Sequence, residues 1–402
     1  MKILQINAVY GTGSTGRIVA DISDTIKRAG GESFVAYQST IEPVENAFVM
    51  GSSFTRKVDA LRARVFGLQA YGSKRATKRL LRWMDEIKPD VVHLHNLHSH
   101  YIHLPLLCKY LAKKDIPTVI TLHDCWFFTG KCTHYTSAKC NKWQTGCGNC
   151  PQLKKDIPSW LFDRTAKMWK DKKELFSAIP RLAVIGVSDW ITNEAKKSFL
   201  QNAKIIQRIY NWIDLQTFYP REENIREQYH LPKDKFLIFC IGAGWNNRME
   251  KWRDLLRLAQ KLPSNMHIVL GGSVQSPQDL PDNITSIGYI HSTENLAKLY
   301  AGVDAYVHLS REDTFGKVIA EAMACGTPAV VYNATACPEL VGKGCGYVVK
   351  TGDIDGICVA LQMIQEKGKS AYLEKCVAYV REHFEKEKLI EDTVALYEAV
   401  QR

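Results

Sequence analysis

Strand-like and helix-like segments alternate along this 402-residue chain, in two successive series. Short runs rich in Val, Ile and Leu are separated by longer amphipathic stretches, which is the pattern of an open parallel sheet covered by helices. The strand-like runs of the first series are residues 2–9, 33–39, 90–96, 118–124, 182–188 and 203–211. Those of the second are residues 236–244, 267–273, 284–290, 304–310 and 327–333. The sequence therefore predicts an α/β protein with two parallel sheets.

A polar segment with two prolines, residues 213–235, separates the two series. We interpret it as an interdomain linker, because a chain of this length has room for two domains that each bury a core. The predicted domains are residues 1–212 and residues 213–384.

Charge is distributed unevenly between these domains. Residues 1–212 hold 32 Lys and Arg against 17 Asp and Glu, whereas residues 213–402 hold 21 against 25. The densest basic stretch contains Arg56, Lys57, Arg62, Arg64, Lys74, Arg75, Lys78, Arg79 and Arg82. Apolar residues interleave with them at near-helical spacing: Leu61, Val65, Leu68, Leu80, Leu81 and Trp83. The stretch is either a solvated helix face or a basic amphipathic helix that lies on anionic lipid.

Other partners and locations are disfavoured by what the sequence lacks. No nucleic-acid-binding motif accompanies the basic stretch, so we expect no nucleic-acid partner. No run approaches the ~20 apolar residues that span a bilayer, and the first residues read as a strand rather than a signal peptide. We therefore expect a cytoplasmic protein, peripheral at the inner face of the plasma membrane if the basic stretch binds lipid.

Three acids lie close together in the segment 310–328, at the end of a strand-like run. Glu312 and Asp313 precede a Phe-Gly turn, and Glu321 follows where an Ala-rich helix begins. Ligands of open α/β sheets bind at the carboxyl ends of strands, and an ionised carboxylate accepts hydrogen bonds from sugar or ribose hydroxyls. Ordinary capping of the helix N-terminus is the alternative explanation, because acids there offset the helix dipole.

The wider segment resembles the signature of retaining family 4 glycosyltransferases. The matching residues are Asp313-Thr-Phe315-Gly316, Glu321-Ala-Met-Ala324, Gly326 and Pro328. The resemblance implies the GT-B fold, in which two Rossmann-like domains with parallel sheets face each other across a cleft. It also implies that the last helix, at about residues 385–402, completes the N-terminal domain. The first acid is usually Glu in the family, so Asp313 leaves the identity of the donor sugar open.

The resemblance also assigns roles to individual residues. Glu321 would hold the ribose hydroxyls and Asp313 the sugar, while Arg248 and Lys251 would stabilise the departing diphosphate in place of a metal ion. Residues expected beside the donor are Gly13, Gly16, Glu312, Phe315, Gly316 and Lys317. His123 would reach the donor sugar from the N-terminal domain, and His95 and Asn96 would line the acceptor side. No catalytic cofactor is expected.

The reaction implied is transfer of a sugar from a nucleotide donor, UDP- or GDP-linked, with retention of anomeric configuration. The acceptor would be a lipid-linked or growing oligosaccharide of a surface polysaccharide such as a capsule. Two other functions remain open at this stage. One is an NAD-dependent oxidoreductase, and the other is a non-catalytic scaffold of polysaccharide assembly that docks through its Cys-rich loop.

The oxidoreductase hypothesis rests on a glycine loop after the first strand. Gly11, Gly13 and Gly16 satisfy the dinucleotide-binding pattern G-x-G-x-x-G. That pattern requires an acid at the end of the second strand to hold the ribose, and Gln38 and Ser39 stand there instead. A loop whose amide groups face phosphate, or a purely structural turn, explains the glycines better.

Five of the twelve cysteines cluster in a Cys-rich loop at residues 125–150. Cys132, Cys140, Cys147 and Cys150 lie within a span that can close a tetrahedral structural zinc site. An iron–sulfur or redox role and unligated thiols are the alternatives. Several histidines also cluster at residues 93–103, but no carboxylate completes a zinc-enzyme motif, so a catalytic metal is not predicted there.

Overall fold

The predicted alternation of strands and helices forms two separate parallel sheets in the computed structural model, which describes all residues from 1 to 402. The chain divides into two units: Met1–Ile209 with Lys388–Arg402, and Tyr210–Glu387. The first unit therefore ends at Ile209, a few residues before the predicted boundary at 212.

A seven-stranded parallel sheet, in the order β5-β3-β1-β6-β7-β8-β9, forms the centre of the first unit. Its strands are β1 (Lys2–Ile6), β3 (Glu32–Tyr37), β5 (Ala47–Val49), β6 (Val91–Leu94), β7 (Thr118–Leu122), β8 (Leu182–Gly186) and β9 (Ile205–Arg208). A separate pair consists of β2 (Val9–Tyr10) and β4 (Ser39–Thr40). The central strands β6, β7 and β8 are buried along their whole length, as expected when helices cover both faces of a parallel sheet.

The helices of the first unit connect these strands. They are α1 (Gly13–Arg28), α2 (Ser53–Phe66), α3 (Lys74–Ile87), α4 (Leu104–Lys113), α5 (Thr165–Ser177) and α6 (Asp189–Lys197). Short 3₁₀ helices occur at Lys142–Gln144 and Phe199–Asn202. The Cys-rich loop lies between β7 and α5 and has little regular structure of its own.

The second unit has a six-stranded parallel sheet in the order β12-β11-β10-β13-β14-β15. Its strands are β10 (Phe236–Trp245), β11 (Met266–Val274), β12 (Ile284–Gly288), β13 (Ala305–His308), β14 (Ala329–Tyr332) and β15 (Gly346–Val349). Its helices are α7 (Ile225–Gln228), α8 (Glu250–Lys261), α9 (Thr293–Gly302), α10 (Lys317–Ala324), α11 (Ile354–Lys367) and α12 (Ser370–Phe384). Short 3₁₀ helices occur at Pro277–Asp279 and Cys337–Leu340.

The last helix, α13 (Lys386–Gln401), packs on the first unit from Lys388 onward. The Tyr397 hydroxyl lies 2.6 Å from His93 Nδ1 in β6, and both residues are fully buried. Arg181 fixes the end of the helix by donating to the Gln401 carbonyl at 3.0 Å. The first sheet is therefore completed by residues from the far end of the chain.

The prediction that residues 213–235 form an interdomain linker is wrong, because the segment is part of the second unit. Ile225, in α7, is almost fully buried, and Arg226 donates to the carbonyls of Pro232 and Lys235. Its guanidinium also pairs with Asp304 at 3.4 Å, just before β13. The prolines and charged residues of the segment are typical of a linker. Its few apolar residues and its arginines nevertheless hold it in the second unit.

The basic stretch forms two helices, α2 and α3, rather than the single amphipathic helix that the sequence predicted. Gly67, in the left-handed conformation at φ 69°, ends α2, because L side chains rarely adopt this backbone geometry. Leu80 is buried, whereas Leu61 and Phe66 are about half exposed. No helix of the chain combines the length and apolar character needed to cross a bilayer.

Candidate active site

The loop that follows β13 carries Asp313 and fixes its carboxylate. His308 Nε2 lies 2.8 Å from Asp313 Oδ2, and His308 Nδ1 lies 2.8 Å from the Tyr306 hydroxyl. Because the carboxylate can only accept, Nε2 carries the hydrogen and the tyrosine donates to Nδ1. The Asp313 amide donates to Thr335 Oγ1 at 2.9 Å, which ties the loop to the segment after β14. The acid is thus oriented by a buried relay that begins inside the sheet.

Glu321 lies in the second turn of α10, not in the first turn as the sequence predicted. The helix begins at Lys317, after Gly316 in the left-handed conformation, and its first turn contains no acid. Capping therefore does not explain Glu321, whose exposure is only 7%. Glu321 and Asp313 are both electrostatic neighbours of the buried Tyr306 phenol, so the two acids converge on one region of the unit.

Lys251, and not Arg248, is the predicted cation that lies close to Asp313. It occupies the first turn of α8, where its Nζ lies 4.7 Å from the centre of the Trp245 ring. Burial lowers the pKa of Lys251, while the nearby Asp313 carboxylate opposes that shift. A methyl group added at Gly242 would lie 2.7 Å from Nζ, so the strand leaves room for the ammonium group.

The place of Lys251 in its helix is itself informative. A cation at a helix N-terminus opposes the helix dipole, whereas an anion there is stabilised by both the dipole and the free amide groups. Lys251 is therefore poorly placed for stability alone and well placed to bind an anion. Arg248 is exposed in the preceding loop, where its amide donates to Asn246 Oδ1 at 3.0 Å.

Residues that the sequence did not single out join the loop to this helix. Arg311 pairs with Asp254 at 2.7 Å and with Glu250 at 3.0 Å, both on α8. The Tyr332 hydroxyl also donates to Asp254 at 3.0 Å. Arg311 and Tyr332 reach Asp254 across long sequence separations, and no local pattern marked these contacts.

The remaining predicted residues of this unit differ in their exposure. Phe315 is 2% exposed and packs against Tyr210 and Phe384, with ring centres 5.8 and 5.4 Å away. An aromatic cluster therefore surrounds the ring, and a contact between this residue and the donor remains a prediction. Glu312 and Lys317 are half-buried beside the loop and remain predicted donor contacts.

In the first unit, His123 follows β7 and is held by a hydrogen-bond relay. Gln5 donates through Nε2 to the Val19 carbonyl at 3.0 Å and to Ser23 Oγ at 2.9 Å, so its Oε1 accepts from His95 Nε2 at 3.3 Å. Neutral His95 then offers only Nδ1 as an acceptor, 3.0 Å from His123 Nε2. His123 consequently carries its hydrogen on Nε2 and keeps Nδ1 as a hydrogen-bond acceptor.

This relay corrects the predicted role of His95. Its side chain is fully buried between His93, whose ring centre is 4.0 Å away, and His123. It cannot line an acceptor surface and instead orients the imidazole of His123. Asn96 is half-buried, with its amide bonded to Asn7 Oδ1 at 3.2 Å, and remains a predicted acceptor-side residue.

Asp124, next to His123, is fixed in the same way. Its Oδ2 accepts from His98 Nε2 at 2.9 Å and its Oδ1 from the Trp126 amide at 2.8 Å. Burial favours the protonated acid, but the His98 imidazole and the Trp126 amide outweigh it and lower the pKa of Asp124. An ionised carboxylate therefore lies beside neutral His123.

Comparison with known proteins identifies the family of the chain that carries these residues. Residues 15–217 match the model of Glycosyltransferase Family 4, and residues 221–383 match that of Glycosyl transferases group 1. The chain belongs to glycosyltransferase family 4. The oxidoreductase and scaffold hypotheses are accordingly set aside in favour of a glycosyltransferase.

Relatives and solved structures of this glycosyltransferase agree with that family. It is 23% identical over 384 residues to the colanic acid biosynthesis glycosyl transferase WcaC of Escherichia coli K12, covering 91% of this chain and 90% of that protein. The sucrose-phosphate synthase of Thermosynechococcus elongatus has a TM-score of 0.71 at 17% identity, covering 99% of this chain and 98% of that one. Anabaena HepE, solved with UDP, has a TM-score of 0.68 at 17% identity, covering 99% and 100%. The fold is GT-B, as the signature implied.

The glycine loop of the glycosyltransferase has both structural and accessible glycines. Gly16 is buried against β2, and a methyl group there would lie 3.1 Å from Val9 Cγ2. Gly13 is exposed at φ 62°, a left-handed conformation, at the start of α1. Gly16 is therefore required for packing, while a donor contact by the loop remains a prediction.

Two groups of metal-ligand residues occur in the glycosyltransferase. His308, Asp313 and Cys337 are the one set of three whose ligand atoms all lie within 4.8 Å of one another, and the His308–Asp313 hydrogen bond accounts for two of its members. Among the four cysteines predicted to bind zinc, no three sulfur atoms all lie within 4.8 Å of one another, but the four residues line a common pocket in the first unit.

We expect the glycosyltransferase to lose stability on mild acidification because of its buried histidines. Burial lowers the pKa of His93 to about 3 and that of His123 to about 4. The unfolded chain, with His pKa values near about 6.5, then binds more protons between about pH 6.5 and pH 4. The free energy of unfolding should therefore be fully retained above about pH 6.5 and decline below it, as measured by urea unfolding.

A His93→Gln variant separates this effect from general acid destabilisation. It should be less stable at neutral pH but should show a shallower loss of stability between about pH 6.5 and pH 4. Equal slopes for the variant and the wild type would contradict the assignment.

Proposed function

We propose that the protein transfers a sugar from a UDP- or GDP-linked donor, with retention of configuration, to a lipid-linked saccharide in the synthesis of a surface polysaccharide such as a capsule. The observation that carries the proposal is that Lys251 lies beside Asp313 at the carboxyl end of the second sheet, with the buried carboxylate of Glu321 in the helix that follows the Asp313 loop. The carboxylates of Asp313 and Glu321 can accept hydrogen bonds from the hydroxyls of a sugar and a ribose, and the Lys251 ammonium group can bind a diphosphate. The UDP complex of Anabaena HepE supports a nucleotide donor.

Each group has a distinct part in the proposed reaction. Glu321 accepts the ribose hydroxyls, and Asp313, oriented by His308, accepts hydroxyls of the donor sugar. As the bond from the anomeric carbon to the diphosphate breaks, its electron pair moves to the phosphate oxygen, where Lys251 stabilises the charge. The acceptor hydroxyl attacks from the same face, and its proton passes to that oxygen.

His123 supplies a further proposed contact. Its relay to Gln5 leaves Nδ1 as an acceptor, which suits a hydroxyl of the donor sugar as the family resemblance implies. The depressed pKa keeps the imidazole neutral at working pH, so it adds no positive charge beside a developing oxocarbenium ion.

The surface of the first unit supports an anionic, lipid-linked acceptor. A pocket beside the His98–Asp124 pair has basic walls formed by Arg56, Lys57 and Arg64. Large apolar side chains are exposed on α2 and in the loop at residues 160–162: Phe54, Leu61, Phe66, Trp160, Leu161 and Phe162. Helix α2, with its basic pocket, and the loop at residues 160–162 form one continuous surface. The Phe66 and Phe162 rings stack with their centres 6.2 Å apart, and the Trp160 amide donates to the Arg64 carbonyl. The basic pocket suits the phosphate of a lipid-linked acceptor, and the exposed apolar side chains suit its acyl or prenyl chain.

A nucleotide-sugar panel tests the proposed reaction. A ligand that binds only the folded protein raises its stability, by about 2.7 kcal/mol at a hundredfold excess over Kd, so one nucleotide series should raise the melting temperature. The same donor should then transfer its sugar to a diphosphate-lipid-linked saccharide and poorly to the free saccharide. Absence of both stabilisation and transfer with every UDP- and GDP-sugar would refute the function, whereas equal transfer to the free saccharide would refute the lipid-linked acceptor alone.

We expect membrane binding to depend on α2 rather than on α3. Lys57→Glu with Arg64→Glu should weaken binding to anionic phospholipid vesicles about thirtyfold or more, since each basic residue near such a surface contributes about 1 kcal/mol. Arg75→Glu with Lys78→Glu on α3 is the matched control, because no exposed apolar cluster accompanies that helix. Co-sedimentation measures both. Binding that is unchanged by the α2 reversal, or reduced equally by both pairs, would end the proposal for this surface.

A further inference from the structure

Cys132, Cys140, Cys147 and Cys150 line one pocket in the loop between β7 and α5. The thiols of Cys132 and Cys150 are hydrogen-bonded to each other. Cys147 Sγ accepts from the Gly130 amide at 3.2 Å, and the Gln152 side-chain amide lies 3.7 Å from Cys132 Sγ. Amide groups thus already face two of the sulfurs, an arrangement that stabilises a thiolate once it binds a metal ion.

Two buried lysines lie beside this pocket, and no carboxylate pairs with them. Lys131 and Lys172 are each 1% exposed, and neither has an acidic oxygen within 4.0 Å. Lys131 Nζ donates to the carbonyls of Gln152 and Lys155 at 2.9 and 2.8 Å. Lys172 Nζ donates to those of Trp126 and Thr129 at 2.5 and 3.0 Å. Backbone carbonyls, and for Lys172 also the Trp126 ring, are the groups that hold these two lysines inside the protein.

Burying two cations without counter-charge is costly, by several kcal/mol each even after relaxation. The negatively ionisable groups with the largest electrostatic effect on Lys172 are Cys147, then Asp124, then Cys132. Asp124 is already hydrogen-bonded to His98. Cys132 is likewise the electrostatic neighbour of Lys131. The cysteines are therefore the groups placed to supply the missing negative charge.

We propose that Cys132, Cys140, Cys147 and Cys150 bind one structural zinc ion, with Lys131 and Lys172 as its counter-charges. Four thiolates around Zn²⁺ carry a net charge of about −2, which offsets two ammonium groups. The buried Trp143 Nε1 has no acceptor although Trp143 lines the same pocket, and a metal thiolate would provide one. Tetrahedral coordination at about 2.3 Å places sulfurs about 3.8 Å apart, so binding draws these side chains inward.

The zinc site would hold the segment that follows His123 and Asp124. The Cys125 amide donates to the Thr133 carbonyl at 2.8 Å. This hydrogen bond joins the segment after Asp124 to the residue that follows Cys132. Lys172 Nζ also lies 3.4 Å from the centre of the Trp126 ring. Binding an ion here therefore stabilises the position of the residues beside His123 without direct contact with substrate.

Metal analysis of the purified full-length protein tests the proposal first. We expect about one zinc per chain, and cobalt in its place should give the visible and charge-transfer absorption of a tetrahedral tetrathiolate. Zinc well below stoichiometric amounts after growth in zinc-supplemented medium, with all four thiols reacting freely in the native protein, would overturn it. An iron–sulfur chromophore in the protein as purified would also overturn it.

Two matched pairs of variants locate the ion and its counter-charges. Cys147→Ser should lose zinc to a mild chelator at least about tenfold faster than Cys358→Ser, a half-buried cysteine in the other unit. Lys172→Met should also accelerate loss of zinc about tenfold, whereas Lys170→Met, an exposed lysine on the same helix, should not. If Cys147→Ser fails to fold, the cobalt spectrum of the wild type still decides the ligand set. Retention of zinc by Lys172→Met at the wild-type rate would refute the counter-charge.

Discussion

Glu321→Gln should lower kcat/KM for the nucleotide sugar roughly 10- to 150-fold while leaving the fold intact. The carboxylate is 7% exposed in α10, so a hydrogen bond from it to ligand hydroxyls is shielded from water. Hydrogen bonds to a charged group contribute about 1.5–3 kcal/mol, and the amide replaces one acceptor by a donor. The size of the side chain is unchanged, so packing should survive.

The loss should appear mainly as weaker binding of the free nucleoside diphosphate, measured by calorimetry alongside initial rates. Glu223→Gln is the matched control, because Glu223 is a half-buried acid of the same unit that pairs with Lys298 and lies in neither the Asp313 loop nor α10. Its effect should stay within about threefold. Wild-type affinity in Glu321→Gln, together with a native melting temperature, would rule out the proposed ribose contact.

Lys251→Met should lower kcat by roughly 10²–10³-fold with a smaller change in nucleotide affinity. The ammonium group is half-buried beside Asp313 and Trp245, where water screens it poorly. Removing one such group from the site of developing charge typically costs this much, because its interaction is strongest in the transition state. Methionine keeps the length and the apolar stem, so the helix should remain in place.

Arg248→Met provides the comparison for Lys251→Met. Arg248 is exposed in the loop before α8, and we expect its removal to cost less than about tenfold, mostly through nucleotide binding. Single-turnover kinetics separate the two effects, since they report the chemical step without product release. A larger loss for Arg248→Met than for Lys251→Met would reverse the assignment of the two cations.

The fold and the acids of the donor unit could be predicted because their signals are local. The alternation of strands and helices needs only the periodicity of neighbouring residues, and the segment around Asp313 and Glu321 is continuous in sequence. The buried setting of Lys251, by contrast, depends on Gly242 and Trp245, which lie at the end of β10. It is a consequence of packing that spacing alone does not contain.

The errors have a similar origin in long-range contacts. The family resemblance placed His95 on the acceptor side, but Gln5 and His123 enclose its side chain. The segment 213–235 looked like a linker because of its prolines and charges, but Arg226 pairs with the distant Asp304 inside the second unit. In both cases the partners are distant in sequence, so neither composition nor periodicity marks them.

The return of α13 to the first sheet has a consequence for synthesis of the protein. Tyr397 hydrogen-bonds His93, whose ring packs against His95 in the relay to His123, so the last turns of the chain complete the core behind that imidazole. Domains usually fold in order as they leave the ribosome. Here the N-terminal unit is incomplete until the entire C-terminal unit has been translated, which links the maturation of the two halves of the enzyme in time.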